Sequence, residues 1–245
     1  MLAHLEQEQI ESTISGEIDG PRWMTGRYAQ AAVVLGRSQR ADAMQLERAS
    51  RCALPMVRRK SGGGAVIAGP EMLSVSVFLP VQHRLSRCSA VAAYKWIGEF
   101  WRSVLARYGV DSHLLAPDEA RRSQLSARQR GLDWACYSSL SHGELVDRHG
   151  RKLLGVAQIR NRHCTALTAG MYLSAPDWGS LCEVMVGDSS QASALRHGNG
   201  SLEELTGISL HELADSVPQD IEQQLGVTLG VSANEGSLYT ERIEK

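Results

Sequence analysis

The sequence predicts an α+β fold, one domain with a mostly antiparallel sheet flanked by helices. Three observations predict it. Residues 89–108 repeat apolar side chains at helical spacing (Val91, Tyr94, Ile97, Trp101, Val104 and Leu105). Residues 72–79 alternate instead: Leu73, Val75, Val77 and Leu79 are separated by Ser74, Ser76 and Phe78, the period of a strand buried on one face. Helical and β-like stretches then follow each other without a regular strand-helix-strand repeat, which favours antiparallel over parallel pairing.

The elements follow in order. Residues 4–16 read as a helix ending near Gly16. Ala31 to Leu35 is a short β-like run, closed by Gly36-Arg37-Ser38-Gln39. Residues 41–53 read as a helix stopped by Pro55. Residues 57–66 and 72–79 read as two strands, with Gly69-Pro70 in the turn between them. The 89–108 helix has Gly109 where a C-cap belongs, and its Trp96, Phe100 and Trp101 stripe reads as core. Residues 118–130 carry Arg121, Arg122, Arg128 and Arg130. A solvated helix or mobile loop is the plainer reading, a lid or docking edge for an acidic partner the functional one. Residues 144–147, 151–160 and 164–173 read as β, with turns at His149-Gly150 and Asn161-Arg162. The tail from 174 to 245 reads as helical, with Ser201 and Ser209 each set before acidic residues as helix caps.

Composition excludes several classes. The chain has 245 residues and a net charge of −1, which argues against a general nucleic-acid binder. No apolar run is long enough for a membrane span, and Glu6, Glu8 and Glu11 interrupt any signal-peptide core. The cysteines are Cys52, Cys88, Cys136, Cys164 and Cys182. Their number is odd and no C-x-x-C occurs, so neither a disulfide framework nor a zinc site is expected, and a reducing cytoplasm fits.

The richest segment is Arg58-Arg59-Lys60-Ser61-Gly62-Gly63-Gly64-Ala65-Val66. Three glycines without Cβ let the backbone lie against a ligand and aim N–H groups at it. Arg58 and Arg59 can pair with a carboxylate or phosphate. There is no G-x-x-x-x-G-K-[ST], and the glycines lie between β-like runs, so neither a P-loop nor a Rossmann turn fits. Alone, the motif describes only a basic glycine hairpin.

A second block changes its meaning. Cys136-Tyr137 is followed by Gly143-Glu144-Leu145-Val146, Gly150-Arg151-Lys152-Leu153 and Gly155-Val156-Ala157-Gln158. R-R-x-S-G-G-G-A-V followed by G-R-K-x-x-G-x-A-Q resembles the lipoate–protein ligase and octanoyltransferase branch of the biotin/lipoate ligase superfamily. Val33 to Gln39 is similar to that family's entry strand, and the resemblance runs from about Trp23 to Leu173. It implies a single catalytic domain spanning 1–245 without an accessory domain. It implies a lipoyl or octanoyl group beside the glycine loop, with its carbonyl polarised by Lys152. The implied binding residues are Arg58, Arg59, Ser61, Gly62, Gly63, Gly64, Ala65, Gly155 and Ala157. A cation and N–H donors suit acyl transfer, because charge builds on the carbonyl oxygen in the transition state.

The family divides in its chemistry. One branch forms an acyl-adenylate from lipoate or octanoate with ATP and magnesium. The other carries the acyl group on a cysteine thioester, and Cys136 stands at that branch's cysteine position. A nucleophilic Cys136 requires a thiolate, favoured beside a cation such as Lys152; the plainer reading is a small buried hydrophobe. The remaining cysteines match no family position and read as packing. Three departures stand out: Val156 replaces a common serine, Ala169-Gly170 a common His-Gly, and Leu154 a common Ser or Thr. The sequence favours the ATP-dependent ligase, with the Cys136 transferase as alternative and a non-catalytic lipoyl-binding relative as the second. Biotin attachment ranks below these. The implied acceptor is a lipoyl-domain protein, a 2-oxoacid dehydrogenase subunit or a glycine cleavage H-like protein, with acyl carrier protein a further partner.

Overall fold

Caps and apolar patterning set the elements. The structure, a computed structural model, describes residues 1–239. The chain runs α1 (Ala3–Ser15), β1 (Arg22–Arg27), β2 (Ala32–Leu35), α2 (Ala43–Arg51), β3 (Met56–Arg58), β4 (Val66–Ala68), β5 (Met72–Pro80), α3 (Arg84–Arg87) and α4 (Ala90–Arg107). It continues through β6 (Ser112–Leu114), α5 (Pro117–Gln129), a short 3-10 turn (Cys136–Ser138), β7 (Leu145–Asp147), β8 (Lys152–Arg160) and β9 (Cys164–Tyr172). Helices α6 (Trp178–Val186), α7 (Ala192–Gly198), α8 (Leu202–Thr206), α9 (Leu210–Leu229) and α10 (Ala233–Gly236) precede β10 (Ser237–Tyr239).

Seven strands form one sheet in the order β10-β1-β5-β9-β8-β7-β6, and three form a second in the order β3-β2-β4. The large sheet is antiparallel throughout except where β10 pairs with β1. The α+β, mostly antiparallel expectation therefore holds.

Helix starts follow side-chain chemistry. Asp42, Ser89 and Ser209 each accept a backbone N–H of the first turn that the helix itself leaves unpaired. Gly109, at φ +71°, ends the long α4 as the sequence suggests.

The large sheet separates two apolar clusters. Leu73, Val75, Val77 and Leu79 of β5 pack with Ile97 and Trp101 of α4 and with Leu213 and Val217 of α9. Met24, Phe78 and Tyr172 on the other face pack with Ile10 of α1 and Trp178 of α6. Each large side chain buried this way contributes about 1.5–3 kcal/mol.

Three sequence expectations change. All nine residues of β5 are buried, because α1 covers the face that Ser74 and Ser76 were expected to give to solvent. Residues 57–66 are not one strand: the glycines separate β3 from β4, which both pair with β2. The tail is not wholly helical, since β10 joins the edge of β1, and residues 240–245 lie outside the described residues. Strands β1 and β6 escaped notice because Arg22–Arg27 lacks alternation and Ser112–Leu114 is three residues long. Residues 118–130 form α5, a largely solvated helix that buries little beyond Ala120 and Ala127. Among the described residues, no helix is long and apolar enough to cross a membrane.

Candidate functional site

The glycine loop leaves β3 and returns as β4, folded hard against the turn after β2. A Cβ on Gly36 would lie 1.8 Å from the Gly63 carbonyl oxygen, so only glycine permits this approach. Gly63 has φ +101°, another position where a side chain is strained. Arg59 fixes the loop from within. Its guanidinium donates to the carbonyls of Gly62 (2.9 Å), Gly64 (2.8 Å) and Val34 (3.2 Å). With the carbonyls tied down, the N–H groups of Gly62, Gly63 and Gly64 donate to no acceptor among the described residues. Glycine amides left without an acceptor in this way are available to an anion.

The segment carrying Cys136 is sewn to that loop. Ala65 N–H donates to the Trp134 carbonyl (2.7 Å), and Cys136 N–H donates to the Ala65 carbonyl (2.8 Å). A Cβ on Gly63 would lie 3.7 Å from Cys136 Sγ, so the thiol abuts the glycine loop. The turn's carbonyls are anchored as well. Lys152 Nζ donates to the carbonyls of Cys136 and Ser139, both at 3.1 Å, and Asn199 Nδ2 donates to that of Tyr137 at 2.9 Å.

Lys152 opens β8 and is only 2% exposed. Besides the two carbonyls, its ammonium pairs with Glu144 at 2.8 Å and lies 4.9 Å from the centre of the Tyr137 ring. An ammonium has three hydrogens, so these three acceptors use them all. Glu144 takes further donors from the N–H of Ser141 (2.7 Å) and Val156 (3.2 Å). Burial pushes the Glu144 carboxyl above its ordinary range, and Lys152 pulls it back. Such a pair is neutral overall, and removing one partner strands the other charge.

The turn between β7 and β8 presents Lys152. Asp147 accepts the N–H of His149 and of Arg151, both at 2.9 Å, and the Arg151 guanidinium at 2.7 Å. Gly150 supplies φ +76°. Burial raises the Asp147 carboxyl, but the Arg151 and His149 donors outweigh it and hold the group below its ordinary value.

These pieces line one cleft of about 800 Å³. Of the residues proposed from sequence, Arg59, Ser61, Gly62, Gly63, Gly64, Cys136, Lys152, Gly155 and Ala157 line it. Two do not. Arg58 is exposed on β3, outside the cleft lining, because side chains alternate along a strand and Arg59 takes the inward place. Ala65 is buried and acts as the stitch to Cys136. Val156 lines the cleft and gives its N–H to Glu144, while also packing on the cluster under α4. Ala169 is fully buried against that cluster and also lines the cleft.

The other cysteines pack. Cys164 and Cys182 are buried, and burial pushes each thiol up to about 11. Cys52 and Cys88 sit partly buried against the two clusters. Sequence reasoning missed Glu144, Tyr137 and Asn199 as site residues. Glu144 stood inside the second block as an acidic residue before a β-run, and an acid there is the partner a buried lysine requires. Asn199 lies far along the chain, and nothing in its local sequence announces it.

Residues 5–222 match the lipoyl protein ligase A/B catalytic domain family. The chain is 30% identical over 217 residues to Octanoyltransferase LipM of Kyrpidia tusciae, covering 86% of this chain and 76% of that protein. It is 32% identical over 157 residues to Octanoyltransferase LipM of an Exiguobacterium species, 61% of this chain and 53% of that one. Among solved structures, lipoate-protein ligase A bound with ATP superposes with a TM-score of 0.69 at 18% identity, covering 96% of this chain and 82% of that one. A bi-partite lipoate protein ligase from Thermoplasma acidophilum gives 0.68 at 19% identity, covering 96% and 80%. The structural likenesses speak for the fold. With the glycine loop, the buried lysine and the match over residues 5–222, the chain belongs to the lipoyl protein ligase A/B catalytic domain family of acyl-transferring enzymes.

Proposed function

We propose that this protein attaches an octanoyl or lipoyl group to a lysine of a lipoyl-domain protein, and that the group travels as a thioester on Cys136. The observation that carries this reading is the half-buried Cys136 thiol set against the glycine loop inside the cleft. The curated relatives named Octanoyltransferase LipM support the same order of preference.

In this mechanism the Cys136 sulfur attacks the carbonyl of an acyl thioester, such as one on acyl carrier protein. The carbonyl oxygen becomes negative and meets the N–H groups of Gly62, Gly63 and Gly64, which stabilise it most in the transition state. The donor thiolate leaves with the proton that Cys136 gives up. The acceptor lysine amine then attacks the Cys136 thioester, loses a proton, and the Cys136 thiol is restored. Lys152 acts by holding the Cys136 and Ser139 carbonyls, and so orients the sulfur. The acceptor is a lipoyl domain of a 2-oxoacid dehydrogenase subunit or an H-like protein. A reducing cytoplasm suits a free thiol in this role.

The ATP-dependent route expected first from sequence ranks second. A triphosphate calls for free cations. Lys152 is neutralised by Glu144, Arg59 is engaged on loop carbonyls, and Arg58 is outside the cleft. The glycine amides and exposed Arg128 remain. This set does not match the charge of ATP. Among the described residues, no three of His, Cys, Asp and Glu gather as a metal site, so these side chains would give a magnesium ion few ligands of their own.

Intact-mass spectrometry tests the proposal. Wild-type protein given octanoyl-N-acetylcysteamine gains one octanoyl group and passes it to a lipoyl domain. Cys136→Ala gains none and transfers none. Full ATP-dependent transfer by Cys136→Ala would overturn the thioester route and restore the adenylate one.

A further inference from the structure

The cleft opens beside a basic helix. Residues 120–130 hold Arg121, Arg122, Arg128 and Arg130 and no acidic residue, in a chain whose net charge is −1. They lie in and just after α5, which buries Ala120 and Ala127 and leaves the four arginines exposed. Among the described residues, no carboxylate pairs with Arg121, Arg122 or Arg130. Arg128 meets Asp133 at 3.8 Å, an exposed pair that is worth little in water. The acids of this helix, Asp118 and Glu119, stand in its first turn, where the dipole favours them, and Glu119 is spent on the N–H of Ala116 at 2.9 Å.

The arginines surround an apolar residue. Leu125 is 55% exposed. Side chains three and four positions apart are neighbours on a helix, so Arg121, Arg122 and Arg128 all adjoin it. The face is also fixed to the mouth of the site. Gln124 and Arg128 line the cleft that holds Cys136. Ser123 Oγ accepts the N–H of Leu140 at 3.0 Å, and Gln124 Nε2 donates to the carbonyl of Leu140 at 3.4 Å. Across the cleft, Ser38 and Gln39 belong to the lining, and Arg37 and Arg40 beside them are exposed. Gln39 donates to the Trp134 carbonyl at 2.9 Å, next to the Asp133 that meets Arg128. Two banks of the mouth therefore carry cations.

The transfer chemistry uses none of these arginines. An apolar residue ringed by arginines has the make-up of a recognition surface, in which the charges steer and select the partner. The transfer has two protein partners. The acceptor brings a lysine ammonium to the cleft, which a basic rim repels; the donor brings no cation. We propose that the exposed face of α5, centred on Leu125, is the docking surface for a carrier protein with an acidic face, the donor of the acyl thioester. The inference rests on the acyl-transfer reading above.

The test compares octanoyl held on acyl carrier protein with octanoyl-N-acetylcysteamine, and reads kcat/KM separately for each donor and for the lipoyl domain. Arg121→Glu/Arg122→Glu lowers kcat/KM for the carrier-borne donor about tenfold or more, through KM, and leaves the small donor and the lipoyl domain within about twofold. Leu125→Ala weakens the carrier-borne donor alone. Raising sodium chloride from about 0.05 M to 0.3 M slows wild type with the carrier-borne donor and leaves the small donor unaffected. Unchanged use of the carrier-borne donor by the double variant overturns the inference. So does an equal fall for both donors, which marks a disturbed site, and so does a fall confined to the lipoyl domain, which makes α5 the acceptor's surface. Insensitivity of wild type to salt with the carrier-borne donor overturns it whether or not the variants fold. If neither donor loads Cys136, the acyl-transfer reading fails instead. Fluorescence anisotropy of labelled octanoyl carrier protein then decides the surface: binding to wild type that the double variant loses supports it, and equal or absent binding overturns it.

Discussion

Lys152 invites a simple role, a cation pointed at a carbonyl, and its surroundings argue for another. All three of its hydrogens are taken by Glu144, Cys136 and Ser139. Under the proposed thioester route its value is positional, and that separates stability from activity. Lys152→Met should cost about 3–5 kcal/mol of stability, because Glu144 is left buried and charged. The double variant Lys152→Met/Glu144→Leu should recover most of that loss in urea denaturation, since a neutral pair is replaced by apolar groups. Acyl transfer should stay depressed by about a hundredfold in both, because neither restores the Cys136 carbonyl anchor. Recovery of activity in the double variant would show that Lys152 does not orient the thiol. At this scale the sequence was informative wherever spacing is local. Lys152, Cys136 and the glycines were legible from their motifs. Arg58 was misplaced because a motif does not say which of two adjacent residues faces inward. Glu6 was read only as a charge that interrupts a signal-peptide core, because its burial against Ser74 and Tyr28 depends on where α1 lands.

Among elements, the β7–β8 hairpin decides where Lys152 sits, and Asp147 decides the shape of the hairpin. The Asp147 carboxylate organises the turn through three donors. Its folded-state affinity for a proton is lowered, so its stabilisation is complete above the unfolded pKa of about 3.9 and disappears as the pH falls below it. Asp147→Ala should therefore lose about 1–3 kcal/mol at neutral pH. The gap between the two urea midpoints should close as the pH falls below about 3.9. A gap that stays constant down to acid pH would mean that the turn is held by something other than the ionised carboxylate. Elements with strong period were legible from sequence: α4, β5, β8 and β9. Those that exist only through partners were not. β10 is three residues that become a strand because β1 offers an edge, and β3 and β4 look continuous until the glycines are seen to turn the chain.

For the molecule as a whole, the seven-stranded sheet is the shared wall of both apolar clusters. β5 is buried on both sides, so neither cluster can lose its packing while the sheet keeps its own. The protein should then unfold in one transition despite its length. Trp101 sits in one cluster and Trp178 in the other, which makes them separate reporters. Variants that keep only one of these tryptophans should give coincident fluorescence and far-UV midpoints in urea. Midpoints that differ between the two reporters would mean that the faces unfold independently. The fold class was readable at this scale because its order of elements is visible in the chain. The two-sided covering of the sheet was not, because a serine-containing face reads as solvated until a helix is placed over it.

The stitch between Ala65 and Cys136 has a consequence for how the protein acquires its chemistry. Two short hydrogen bonds join segments separated by most of a sheet's worth of chain, and closing so long a loop is entropically slow compared with forming local turns. The glycine loop and the thiol-bearing turn can each take shape early on their own strands. Under the proposed thioester route, a competent centre exists only once the two are tied, so a collapsed intermediate with most of its secondary structure would still carry a misaligned thiol. Chemical competence should be among the last properties that a newly made chain acquires.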